Sequence, residues 1–261
     1  MQMYETLNLQ VDARGVAHVA LNLPDKRNAL SARMIAELTD LAHILGADQA
    51  TRAIVLSGTG ALFCAGGDLA WMQAQIAADR NTRMAEARKL AGMLRALNEM
   101  PTPLIGRVHG GAYGGGVGLA CVCDVVLAEP ATKFALTETR LGLIPATIGP
   151  YVIARMGEGR ARRVFMSSRV FDADEARDLG IVARVVAPGD MAAAVESEVA
   201  PYLSVAPGAV GAAKALARSL GPVIDDAVID ATIARLADSW QGEEAAHGIA
   251  AFLNRTPPRW A

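Results

Sequence analysis

The sequence predicts an α/β fold: a spiral of short strand segments with helices on the outside, followed by a region built of helices alone. Three observations carry this. Ala53–Ser57 (AIVLS) and Leu104–His109 (LIGRVH) are brief apolar runs of the kind that form parallel strands covered on both faces. Each leads through a glycine-rich loop into a helical pattern, so a strand–loop–helix unit occurs twice, without a fixed-period repeat. From about Ala192 strand patterns stop and helical ones take over.

Leu7–Val11 and Val16–Leu23 alternate in polarity and read as two strands joined by the turn Asp12–Gly15. PDKRNALS breaks that run, and Ser31 is placed to cap a helix reaching about Gly46 on the stripe Met34, Leu38, Leu41 and Leu45. After AIVLS come the loop GTGALFCAGGD and a helix over Asn81–Met100, with Met84, Leu90, Leu94 and Leu97 on one face. LIGRVH leads into the glycines of Gly110–Gly118 and a short helix, after which DVVLA and KFAL supply strands. Four helical segments follow, Ala192–Ser204, Pro207–Ser219, Pro222–Trp240 and Glu243–Leu253, punctuated by prolines. The chain thus divides into an α/β core with the active site over residues 1–191 and a helical region over 192–261. The apolar faces of that region need a partner surface, either the chain's own core or another subunit, and subunit packing is the favoured expectation.

Composition removes several classes of function. With 25 Lys+Arg against 27 Asp+Glu there is no basic nucleic-acid footprint, and 52 % hydrophobic residues with 20 % charged exclude disorder. The most apolar stretch, Val117–Ala128, is interrupted by Asp124 and is shorter than the roughly 18 residues a spanning helix needs, so no membrane partner is expected. The amino terminus MQMYETLNLQVDARG lacks the order of a secretion signal, which points to the cytoplasm. Cys64, Cys121 and Cys123 read as buried thiols, and the scattered His18, His43, His109 and His247 give no metal site.

Six glycines fall in the nine positions Gly110–Gly118, between an apolar strand and a helix-like segment. The spacing fits neither GxGxxG nor GxxxxGK, and no GxSxG is present, so dinucleotide, P-loop and serine-hydrolase readings fail. What survives is a turn of bare peptide N–H groups at a helix start, where developing negative charge is favoured. A second cluster, Phe63–Leu69 (FCAGGDL), offers another free N–H at Gly67. Two donors from two strand–helix units can converge on one carbonyl oxygen.

FCAGGDL, GGAYGGGVGLACVCD (Gly110–Asp124) and KFALTETRLGLIP (Lys133–Pro145) resemble, in order and spacing, the crotonase family of enoyl-CoA hydratases and isomerases, and the similarity runs from PDKRNAL into the tail. The resemblance implies a crotonase-like spiral of repeated ββα units with a C-terminal helical oligomerisation region. It assigns the oxyanion donors to the N–H groups of Gly67 and Gly115 and the acid/base to Glu138. The family's hydratases use a second glutamate, whose position is here Gly118. Two reactions follow from one carboxylate: hydration of an α,β-unsaturated acyl-CoA, the preferred reading, or Δ3,Δ2-enoyl-CoA isomerisation. A catalytically weak acyl-CoA binder is the reading from another class.

The segment GLIPATIGPYV looks like a bacterial subgroup that hydrates 3-methylglutaconyl-CoA or isohexenylglutaconyl-CoA, which would place the protein in leucine or acyclic-terpene breakdown. A glycine at 118 would then reduce charge repulsion and clear volume beside the substrate's own carboxylate. The family pattern also sets CoA against Lys26, Arg27 and Ala29 and against Ala65, Asp68 and Leu69. CoA arrives as part of the substrate, so no separate cofactor is implied. The tail resembles a helix that packs between subunits of a homotrimer or hexamer, with Trp260 either near a neighbour's CoA or filling its own core.

Overall fold

The computed structural model describes residues 3–261. Its strands are β1 (Leu7–Val11), β2 (Val16–Leu21), β3 (Ala53–Gly58), β4 (Leu104–Val108), β5 (Gly111–Tyr113), β6 (Val125–Ala128), β7 (Lys133–Ala135), β8 (Phe171–Asp172) and β9 (Arg184–Val185). The helices are α1 (Ala32–Ala47), α2 (Leu69–Ala77), α3 (Arg80–Glu99), α4 (Gly115–Val122), α5 (Gly149–Met156), α6 (Glu158–Phe165), α7 (Ala173–Asp178), α8 (Met191–Val199), α9 (Pro207–Ser219), α10 (Asp226–Gln241) and α11 (Glu243–Leu253). None of them is long and apolar enough to cross a membrane. Five helices begin where a side-chain oxygen accepts an otherwise unpaired backbone N–H, at Ser31, Asp68, Asp79, Asp172 and Asp225, each cap contributing about 1 kcal/mol.

The main sheet has the order β1-β2-β3-β4-β6-β9, antiparallel only between β1 and β2, and a second sheet has the order β5-β7-β8. A main-sheet strand, a short strand of the second layer and a helix therefore recur as the chain spirals. The apolar strands are covered twice. Ile54, Leu56 and Val126 join Met34, Leu38 and Leu94 of α1 and α3 in the central core. The alternate residues Ala53, Val55, Ile105 and Leu127 pack on Met191, Val195 and Val199 of α8.

Much of the helical tail packs on its own chain, one of the two partner surfaces its apolar faces call for. Ile229 and Ile233 of α10 pack on Ala87 and Ala91 of α3, and Ala245 and Ile249 of α11 pack with Leu143 and Trp240. Helix α9 buries little more than Gly211 and leaves Leu216 exposed.

What positions the site is a widening of the second sheet. The segment after β3 pairs in parallel on both sides, with Leu30 opposite Gly67 and Cys64 opposite Ala112, so the two glycine clusters lie edge to edge. Asn28 fixes the outer segment. Fully buried and in the left-handed region at φ 52°, it accepts the Leu23 N–H (2.9 Å) and donates to the Thr59 (2.8 Å) and Leu62 (3.0 Å) carbonyls.

Asparagine tolerates that backbone geometry and alanine does not. Asn28→Ala removes three part-buried hydrogen bonds, and at about 1 kcal/mol each the expected loss in denaturant unfolding is about 3 kcal/mol. A loss under about 0.5 kcal/mol contradicts this role.

Candidate active site

Two loops touch through their backbones. Cys64 N–H donates to the Gly111 carbonyl (3.1 Å), and Tyr113 N–H donates to the Cys64 carbonyl (3.0 Å). So close an approach requires glycine. A Cβ on Gly116 would lie 2.6 Å from the Cys64 carbonyl oxygen, and one on Gly66, at φ 91°, would lie 2.7 Å from that of Tyr113.

Gly67 follows directly, on the cavity rim, and Gly115 is the first residue of α4. Among the described residues neither N–H has an acceptor, since Gly67 contributes only neighbours' groups to the Leu30 bridge and Gly115 precedes any intrahelical partner. The two loops are in van der Waals reach, a Cβ on Gly115 falling 3.8 Å from the Gly66 Cα.

The third component enters from the opposite edge. Gly114 N–H donates to the Ala135 carbonyl at the end of β7 (2.9 Å), and three residues later Glu138 opens a 3₁₀ turn, Glu138–Leu141. Its Oε1 would lie 3.1 Å from a Cβ on Gly114, so a side chain there would crowd the carboxylate. Glu138 Oε2 is shielded from solvent and, among the described residues, has no hydrogen-bond partner. Burial pushes this carboxyl up to about 7, against the backbone N–H groups of Glu138 and Thr137, which pull it down.

Gly67, Gly115 and Glu138 line one cavity of about 110 Å³. The rest of the wall is largely apolar, with Leu30, Trp71, Leu143, Ile148 and Trp240 prominent, and Glu138 is its only charged residue. The arrangement offers two N–H donors for an oxygen that gains charge, a carboxylate poised to move a proton near neutral pH, and an apolar slot for a short chain.

The predicted binding segments lie together beside the site. Ala65 N–H donates to the Arg27 carbonyl (3.0 Å) and Leu30 N–H to the Gly66 carbonyl (2.7 Å), which brings Lys26, Arg27 and Ala29 alongside Ala65, Asp68 and Leu69. Lys26, Arg27 and Leu69 are exposed and Ala29 is buried. The Asp68 carboxylate is also buried and is occupied as the cap of α2, accepting the Trp71 N–H at 3.1 Å. Trp260 is half-exposed and meets His247 edge-on at 5.4 Å. Burial pushes all three cysteines up to about 12, so they stay thiols.

Gly118 differs from expectation. The space above it is not open to a substrate: a Cβ there would lie 2.5 Å from Ile148 Cγ2, and Gly118 does not line the cavity. Sequence reasoning also passed over Trp71 and Trp240. Trp71 could have been found four residues after Gly67, one helical turn into α2, whereas Trp240 reaches the cavity from a segment remote in sequence.

The enoyl-CoA hydratase/isomerase family profile matches residues 12–261. A solved enoyl-CoA hydratase from Shewanella pealeana is 35 % identical, covers 98 % of this chain and 96 % of its own, and superposes with a TM-score of 0.80. AtuE of Pseudomonas aeruginosa is 35 % identical (98 % and 100 % covered, TM-score 0.81). An enoyl-CoA hydratase from Mycobacterium avium is 29 % identical (99 % and 100 % covered, TM-score 0.85).

Burying Glu138 has a thermodynamic signature. With its folded value near 7 against an ordinary 4.5, the native state holds a proton that the unfolded chain releases between those values. Stability from this group is full below 4.5 and is lost as pH rises through 7, by about 3 kcal/mol. Glu138→Gln should therefore become more stable than the parent on going from pH 4.5 to pH 8, read by thermal or denaturant unfolding, and a pH-independent difference contradicts the burial argument.

Proposed function

The chain belongs to the enoyl-CoA hydratase/isomerase family, and on that premise we propose that it adds water to a short α,β-unsaturated acyl-CoA thioester. The observation that carries this reading is the convergence of two unpartnered N–H groups and one near-neutral carboxyl on a single apolar cavity. In this reading the thioester oxygen lies between the Gly67 and Gly115 N–H groups. Losing one donor of that kind typically costs about 3 kcal/mol of barrier. Glu138 takes a proton from water as the oxygen bonds to the β-carbon, then delivers a proton to the α-carbon as the enolate collapses. CoA is held outside the cavity, along Lys26–Ala29 and Ala65–Leu69, and its binding energy positions the acyl group.

Isomerisation is the second reading, because α4 brings no carboxylate to the cavity: Gly118 lies beneath Ile148. One carboxylate suffices to carry a proton between the α- and γ-carbons of the same enolate. For the acyl chain, the cavity wall favours an uncharged group. The glutaconyl thioesters of the subgroup resemblance bring a second carboxylate, and the wall holds no cation to meet it. Arg83 stacks on Trp240 (5.5 Å) but donates to the Gln75 and Ile76 carbonyls. Assembly into a homotrimer or hexamer is part of this proposal, supported by the exposed Leu216, Leu220 and Val223.

Mass spectrometry of crotonyl-CoA, 3-methylglutaconyl-CoA and a 3-enoyl-CoA after incubation with the protein tests the assignment. Gain of one water on crotonyl-CoA supports hydration of an uncharged chain, and gain on the glutaconyl thioester alone restores the subgroup substrate. Double-bond migration without water gain selects the isomerase, and no change in any sample overturns the enzymatic reading.

The carboxylate form of Glu138 is the reactive one. The rate constant kcat/KM should rise about tenfold per pH unit towards pH 7 and level off above it. Glu138→Gln should lower kcat by about 10³-fold with little change in acyl-CoA affinity by calorimetry. Unchanged turnover excludes Glu138 as the acid/base.

A further inference from the structure

The aim of the Glu138 carboxylate is set by backbone. Its Oε2 has no partner among the described residues, and the groups that pull its carboxyl down against burial are the N–H groups of Thr137 and of Glu138 itself. The carboxylate therefore lies where the 3₁₀ turn Glu138–Leu141 puts it. That turn has weak bonds of its own. Arg140 N–H reaches the Thr137 carbonyl, and Gly142 N–H the Thr139 carbonyl, each only at 3.2 Å. A misplacement of about 1 Å at a reacting group can cost about 10²-fold in rate, so the turn needs support from outside.

Two elements give it. At the far end α11 lies against the backbone, where a Cβ on Gly248 would fall 2.6 Å from the Leu141 carbonyl carbon. The middle is held by Ser168, in the loop between α6 and β8. Ser168 Oγ accepts the Arg140 N–H at 3.1 Å and shares a hydrogen bond of 2.6 Å with the Thr139 hydroxyl. Ser168 is buried, and neither it nor Thr139 lines the cavity.

The backbone of Ser168 explains why the hydroxyl matters. Its φ of 49° lies in the left-handed region, which glycine adopts freely and serine only where the surroundings hold it there. The next residue provides that hold: Arg169 is bidentate on Glu175 at 2.7 and 2.6 Å and lies over the Phe171 ring. Phe171 in turn stacks on Phe134 of β7, the strand that leads into the Glu138 turn. A glycine would serve this loop at lower conformational cost. Serine supplies what glycine lacks, a hydroxyl bonded to two residues of the turn.

We propose that Ser168 is a positioning residue that, through its hydroxyl bonds to Thr139 and Arg140, holds the turn that keeps the Glu138 carboxylate at the cavity beside Gly114. This rests on Glu138 being the acid/base in the reading above. Ser168 acts only through Glu138, so its loss slows every step that Glu138 carries and leaves the binding of acyl-CoA as it was.

Exchange of the α-protons of butyryl-CoA in D2O needs Glu138, as hydration does, and the two rates together form the test. Ser168→Ala and Ser168→Gly both remove the hydroxyl, the second while relieving the backbone. In each, kcat for hydration of crotonyl-CoA and the α-exchange rate should fall together by 10-fold or more, with KM within threefold of the parent. In a Glu138→Gln background the same substitutions should change the residual rates by less than twofold, because the group they position is gone. Thr139→Ser, which keeps the partner hydroxyl, should stay within threefold of the parent. Rates kept within threefold in both Ser168 variants, a loss in only one of them, or a further loss in the Glu138→Gln background overturns the proposal and makes Ser168 a packing residue. If Ser168→Ala does not fold, Ser168→Gly and the contrast of Thr139→Val with Thr139→Ser give the same reading. In a parent that exchanges without hydrating, the exchange rate alone decides. A Glu138→Gln protein as fast as the parent rejects the acid/base reading instead, and the positioning role with it.

Discussion

The site depends on two stretches of backbone lying closer than side chains allow. Cys64 is hydrogen-bonded on one edge to Gly111 and Tyr113, and the chain two residues on is bonded on its other edge to Leu30. At that separation Gly66 and Gly116 cannot carry a Cβ. The strip leaves the N–H groups of Gly67 and Gly115 without acceptors, one past the end of its pairing and the other at the first turn of α4. Donors fixed by surrounding backbone need no reorganisation when charge develops in front of them, and in an apolar cavity their effect is not diluted by water.

The same apolar wall acts on Glu138 in the opposite sense. A carboxylate that loses its water becomes a stronger base, and burial shifts Glu138 to the range where a proton can be both taken and returned near pH 7. The cost is stability, which the core and the capped helices offset. The positions of Asp68 and Asn28 show the division of labour: their polar groups are consumed in holding the loops, while those of Gly67, Gly115 and Glu138 are, among the described residues, left unpaired.

Much of this was legible in the sequence because it is local. The run Ala53–Ser57 announces a strand buried on both faces, Ser31 announces the start of α1, and the glycine spacings exclude nucleotide loops. The motifs around Gly67, Gly115 and Glu138 pointed to three residues that do line one cavity. What periodicity does not carry is which distant surface an apolar face will meet. It left open that α8 covers the rear of the sheet, that Trp240 lines the cavity from the tail, and that Ile148 fills the space over Gly118.

The central claim is that the two glycine N–H groups polarise a thioester oxygen, and the carbonyl itself reports on it. Isotope-edited infrared difference spectroscopy of acyl-CoA labelled with ¹³C at the thioester carbonyl, bound to Glu138→Gln to prevent turnover, reads the C=O stretch directly. A clear shift to lower frequency on binding, relative to the ligand in water, is the result this account predicts. A carbonyl band at or above its frequency in water would contradict it.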